Sequence, residues 1–300
     1  MNNKKDTRFR VLDAAYLALM ILPLVFGIVL KVLTNPPSEG ISIAGARIYF
    51  TIPMPIMDFP VSESQVNSAL VIIVILGFSL WITHGLTART ITKRQAAAEW
   101  IVEATVNMVK SNMGEYFGAF PPFIAAIMAL SAISSLLALL GLYAPTSDLN
   151  IVGGWAILVF ILITYYKCKC GPVHYALSFF DPPPLAPLNI ISEIATPISM
   201  AFRHYGNILS GSVISVLVAT ALQGLSGMLL GWLPGFLGDI PFLQVGLPAI
   251  LSIYFDVFSS LLQAFIFAML TMLYIASGFP QDDFEIMLAK KRAAKAAKSA

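Results

Sequence analysis

The amino-acid sequence predicts an all-α polytopic membrane protein, and three observations predict it. The chain is 58% hydrophobic and 11% charged, whereas soluble domains average roughly 45–50% and about 25%. Its apolar residues gather in runs long enough to cross about 30 Å of hydrocarbon, which takes about 20 helical residues. Its lysines and arginines lie between those runs in separate clusters, where topological anchors belong. The first apolar run follows Asp13 and ends at no small-residue cleavage site, so it reads as a retained segment rather than a signal peptide.

The runs fall at 14–33, 68–86, 121–142, 151–167, 187–223 and 243–277. With the basic N-terminus (Lys4, Lys5, Arg8, Arg10) inside, six crossings return Arg89 to Arg94, Lys167 with Lys169, and the tail lysines to that same side. The positive-inside pattern therefore predicts both termini in the cytoplasm. Residues 34–67 then lie outside. Residues 95–118 interleave Glu99, Glu103, Lys110 and Glu115 with Trp100, Ile101, Val102 and Val106, as expected of an amphipathic helix on the cytoplasmic face. Three consecutive prolines, Pro182 to Pro184, break the chain before the last pair of spans. That pair is too long for a perpendicular crossing: 187–223 as one helix is about 55 Å. Two strongly tilted helices joined by the Gly/Pro-rich turn 224–241 accommodate the excess. The expected organisation is an N-terminal membrane segment and external loop (1–67), a core (68–280) and a basic cytoplasmic tail (281–300).

Charge inside the last hairpin carries the functional argument. Between 187 and 280 the charged residues are Glu193, Arg203, Asp239 and Asp256, and Asp239 falls in the outer turn. An arginine at mid-membrane costs roughly 2.5–3.5 kcal/mol on insertion scales, so it is kept for a reason. At 100° per residue, Ser192, Thr196, Ser199, Asn207 and Ser210 fall within about 40° of Arg203, and the opposite face is apolar. In the last helix Asp256, Gln263 and Tyr274 project onto one stripe. Single hydroxyls in membrane helices often only bond their own backbone. Two polar stripes with one arginine and one acid read instead as a hydrated ion route. Arginine does not deprotonate in proteins, so Arg203 acts by electrostatics. Asp256 can exchange a proton, and Glu193 can serve the inner end. No further acid chain exists here, so the missing titratable site is assigned to another subunit.

These residues carry a resemblance. The run Phe202-Arg203-His204-Tyr205-Gly206-Asn207-Ile208-Leu209-Ser210-Gly211 resembles the arginine–x–x–Gly-Asn–x–x–small–Gly signature of subunit a of F-type ATP synthases. Residues Gln263 to Phe267 and Leu270 to Tyr274 look like that family's last helix, and Ala144 to Asn150 is similar to its external loop. The resemblance implies a non-catalytic stator subunit of a bacterial cell membrane, which carries no cofactor and binds no nucleotide itself. Its partners would be the c-subunit ring, the b-subunit peripheral stalk and the lipid bilayer. Arg203 would face the ring carboxylate and separate two half-channels, supported by Gln263. Asn207 and Asp256 would line the outer half-channel, and Ser199, Thr196 and Glu193 the inner one. His204, Ser210, Tyr274 and Asp148 would be supporting residues. Two positions depart from common members: Ser212 stands where some have a glutamate, and Asp256 where many have a histidine.

Other classes fit less well. A secondary transporter built on Arg203 as an anion site should show repeats or broken helices, and neither is visible. A membrane enzyme should show a nucleophile–base pairing or a phosphate loop, but His84, His174 and His204 are scattered and no such loop occurs. The basic clusters lack the aromatic interleaving of a nucleic-acid surface. Cys168 and Cys170 read as reduced thiols rather than a metal site.

Overall fold

The computed structural model describes residues 2–34, 45–55, 58–86, 92–180, 182–230, 242–281, 284, 285 and 289. Among them six helical stretches are long and apolar enough to cross a membrane, beginning at Phe9, Glu63, Pro121, Leu149, Pro183 and Gly246. They belong to α1 (Asn2–Thr34), α2 (Glu63–Thr83), α4 (Pro121–Leu136), α5 (Leu149–Lys167), α7 (Ala186–Leu230) and the pair α8 (Phe242–Ser252) and α9 (Ser260–Gly278). Between them lie α3 (Lys93–Met113) and the short α6 (Pro172–Ser178).

Local chemistry sets the ends. Ser62 and Gln65 form a capping box at the start of α2, and the Thr92 hydroxyl accepts from the Gln95 amide at 3.2 Å at the start of α3. Pro121 occupies the first turn of α4, where no amide donor is needed. Gly114, at φ 83°, ends α3 in a backbone conformation that side-chain-bearing residues avoid. The expected amphipathic helix is therefore α3, with Val109 and Met113 buried while Trp100, Val102 and Val106 stay exposed.

The core joins α3, α4, α5, α7 and α9 through Val109, Ile124, Val152, Val159, Met200, Phe267, Met272 and Ile275. α1 packs chiefly on α2. Their backbones meet at Gly77, where an added Cβ would lie 2.9 Å from the Met20 amide nitrogen, the small-residue approach usual between membrane helices. Arg94 fixes the end of that contact. Its Nη1 donates to both oxygens of Asp13 at 3.0 Å, and Asp13 also bonds His84 Nδ1 at 2.9 Å. Elsewhere α1 presents Ile21, Leu22, Val25, Phe26 and Leu33 outward, a lipid-facing surface.

Three features differ from the sequence reading. The external segment contains an antiparallel hairpin, β1 (Ile48–Ile52) with β2 (Phe59–Ser62), where only loop was expected. Residues 224–230 continue α7 instead of opening the turn, because Leu225, Gln223, Met228 and Leu229 extend an uninterrupted helix and the glycines there do not break it. Residues 231–241, with Asp239, lie outside the described residues. The third difference is a π-helical stretch, Ile253–Ser259, between α8 and α9.

Candidate functional site

α7 places Arg203 on its outward face. The neighbouring Phe202 is also exposed, at 55%, whereas His204 is fully buried at 0%. One residue of helical rotation separates these environments. Among the described residues Arg203 makes no hydrogen bond or ion pair. Ser192, Ser199 and Ser210 are exposed with it, and Thr196 and Asn207 partly so. Much of the polar stripe therefore lies on a face that the other described residues leave open.

His204 points the other way. It sits among Ser131 of α4, Trp155 of α5 and Phe267 of α9, with Nε2 3.2 Å from the Ser131 hydroxyl and both aromatic rings edge-on. Its Nδ1 is buried without a partner among the described residues. This contact fixes the rotation of α7 and so aims Arg203 outward. Ser131→Ala should remove a hydrogen-bond partner of a buried imidazole, at a cost of about 1–3 kcal/mol. The check is a lowered unfolding temperature of the solubilised chain.

The facing helix meets α7 at the π stretch. The Ser259 hydroxyl donates to the Asn207 side-chain oxygen at 3.0 Å. Gly211 lets the Phe255 ring approach, since a Cβ there would lie 3.0 Å from Cδ1. Because the two helices run antiparallel, four residues from Asn207 back to Arg203 match four from Ser259 on to Gln263. Both steps rise about 6 Å, which sets the two side chains at one height. Gln263 is buried at 3%, while Asp256 is only partly so and accepts from the Ser252 hydroxyl. Between Asp256 and Gln263 the chain passes through the π stretch Ile253–Ser259, whose turns carry more residues than α turns.

At the lower end of α7, Glu193 is ion-paired. Lys167 Nζ lies 2.6 Å from its Oε2, and the Tyr175 hydroxyl donates to its Oε1 at 3.0 Å. Burial and the adjoining Glu193 charge raise the Tyr175 pKa, so this phenol stays a donor. Pro197 lies within α7 and lacks the amide that would bond the Glu193 carbonyl, freeing one more polar atom here. Glu193, Thr196 and Tyr274 line a cavity of about 100 Å³ with Lys167 and Ser277. The sequence reading missed this use of Lys167, which lies 26 residues from Glu193 along the chain.

At the opposite end, Asp148 caps α5 by accepting from the Asn150 amide at 2.9 Å, and it also accepts from the Ser64 hydroxyl. Asn67 donates to the Tyr143 carbonyl at 2.8 Å beside it. Glu63, 6% exposed, is buried here with Oε1 unpartnered among the described residues. Sequence reasoning passed over Glu63 because it precedes the apolar run. The available signal was the capping box around it. The Tyr143 pKa is raised by burial, then by the Asp148 carboxylate and Tyr205.

Among the described residues no group of three or more His, Cys, Asp or Glu is placed to hold a metal ion. Cys168 is a free thiol, while the side chains of Cys170 and His174 lie outside the described residues. Among the described residues the arrangement offers an open cation midway along α7, carboxylates toward either end of it, and apolar surface around them.

Comparison with known proteins supplies the family. The family model described as "ATP synthase A chain" matches residues 66–276. The "ATP synthase subunit a" of Bacillus pumilus is 34% identical over 218 residues, covering 68% of this chain and 86% of that protein. That of Desulforamulus reducens is 30% identical over 226 residues, covering 74% and 81%. That of Legionella pneumophila is 26% identical over 229 residues, covering 75% and 90%. The match encloses Arg203, Asn207, Asp256 and Gln263, and the chain belongs to the ATP synthase A chain family, that of the ion-translocating stator subunit of the membrane ATP synthase.

Proposed function

We propose that this chain forms two offset proton half-channels against the c-subunit ring and couples proton flow through them to ring rotation and ATP synthesis. The observation that carries the reading is the outward-facing Arg203, unpaired among the described residues, in a polar stripe on a membrane helix. An uncompensated arginine facing lipid is costly, so a partner with a carboxylate at that height covers it. The ring supplies that carboxylate, and Arg203 keeps it ionised as it passes and stops protons from crossing directly between the channels. Gln263, level with Arg203 on the facing helix, supports this contact.

The outer half-channel runs past Asp148 and Glu63 to Asp256 and Asn207, with Ser210 and His204 in support. Ser199, Thr196, Tyr274 and Glu193 line the inner half-channel. Both termini lie in the cytoplasm of a bacterial cell, and the core 68–280 is flanked by the N-terminal segment 1–67 and the basic tail 281–300. The chain is not catalytic by itself and binds no nucleotide. The b-subunit peripheral stalk anchors it in the complex. Cysteine cross-linking tests the assignment of the face. Ser199→Cys and Ser210→Cys are expected to cross-link to cysteines on the outer helix of the ring, while cysteines replacing Leu22 or Val25 on α1 are expected not to. Cross-links from α1 alone would reject the assignment.

A further inference from the structure

Three elements meet α7 at Glu193. Lys167, the last residue of α5, holds Oε2, and Tyr175 of α6 holds Oε1. Tyr274 of α9 lines the same cavity, and within a turn of Glu193 α7 itself carries no other charged residue. The lysine stem reaches its partner across Gly278, where an added Cβ would lie 2.8 Å from Lys167 Cε and 3.1 Å from Cγ. Gly278 thus clears the passage that the lysine occupies. Both charged side chains are sheltered, at 24% and 16% exposure, so bulk salt screens them less than a surface pair. The cavity they share, about 100 Å³, has room for a few waters.

We propose that Lys167 is a positioning residue of the ion path, holding Glu193 over the cavity and keeping the inner mouth electrically neutral. The proposal rests on the inner half-channel assignment above. An ionised Glu193 alone would make the mouth anionic, drawing in cations and holding them. A lysine alone would make it cationic and repel them. The paired state does neither, so an arriving proton meets a polar, water-sized chamber without a trap at its exit. A lysine suits the position because its charge sits on a flexible four-carbon stem that can move aside.

The test reads the charge of the mouth with a small cation. In the full complex in inverted membrane vesicles, Thr196→Cys is placed in a Cys168→Ser, Cys170→Ser background. The rate at which silver ion inhibits ATP-driven proton pumping is then measured. Adding Lys167→Gln is expected to speed inhibition about tenfold, the effect of removing one nearby positive charge from a partly wet site. Glu193→Gln is expected to slow it, the double variant to return near the starting rate, and Lys167→Arg to keep that rate. Gly278→Ala, which pushes the lysine off its partner, is expected to act as Lys167→Gln does and serves where that variant fails to assemble. Equal rates with and without Lys167, or shifts of the same sign for Lys167→Gln and Glu193→Gln, would overturn the proposal alone. No inhibition of the Thr196→Cys variant in any background would overturn the inner-path assignment and the proposal with it.

Discussion

Arg203→Ala is expected to abolish coupled ATP synthesis in membrane vesicles, a loss of at least about a hundredfold, and Arg203→Lys to restore little of it. The size follows from electrostatics. A fixed cation about 4 Å from a passing cation contributes about 4 kcal/mol at an effective dielectric constant of 20, about a thousandfold in crossing rate. Each proton yields about 2.3 kcal/mol per 100 mV only if it travels with the ring. Without the barrier that energy is dissipated. Lysine keeps the charge but not the planar fork that engages a carboxylate in two directions. ATP formed per unit of imposed proton gradient is the measurement. Full coupling in Arg203→Ala would remove the arginine from the mechanism.

The second large effect is expected at Asp256. Asp256→Asn keeps the shape and the contact with Ser252 but cannot exchange a proton. Proton-transfer groups contribute typically 10²–10⁴-fold, so translocation should slow by about a hundredfold if this carboxylate is the outer relay. Asp256→Glu should recover part of the rate. Asp256 sits in the π stretch that Ser259 ties to Asn207, so the longer side chain still points into the same polar region. Proton uptake driven by an imposed potential, with ATP hydrolysis blocked, measures the step. A rate unchanged in Asp256→Asn would reassign the relay to Glu63 and Asp148.

Much of this site was legible in the sequence because membrane helices make charge conspicuous. Arg203, Asp256 and Glu193 stand out in apolar runs, and the 3.6-residue repeat gathers Ser199, Thr196, Asn207 and Ser210 around the arginine. The six spans follow from run length, and α3 from its alternating charges. What stayed hidden has local or long-range causes. A π turn needs one extra residue per turn, and Ile253-Tyr254-Phe255-Asp256-Val257-Phe258 reads equally well as ordinary helix. β1 and β2 are short, carry a proline in the pairing and have exposed faces, so no alternation marks them. The opposite facing of Arg203 and His204 depends on Ser131, 73 residues away from the histidine. The Lys167–Glu193 pair likewise needs the return of α7 beside α5. The sequence marked Glu193 as the candidate for the inner end of the route but could not show that it is paired with Lys167.

Passive proton flux with the ring immobilised tests the central claim most directly. In vesicles carrying the complete complex, the ring is cross-linked to the stator so that it cannot turn. On the proposed role of Arg203 as the barrier between two half-channels, an imposed potential should then drive no measurable flux through the native protein. The same complex with Arg203→Ala should leak protons while the ring stays still. An equally tight Arg203→Ala complex would contradict the account.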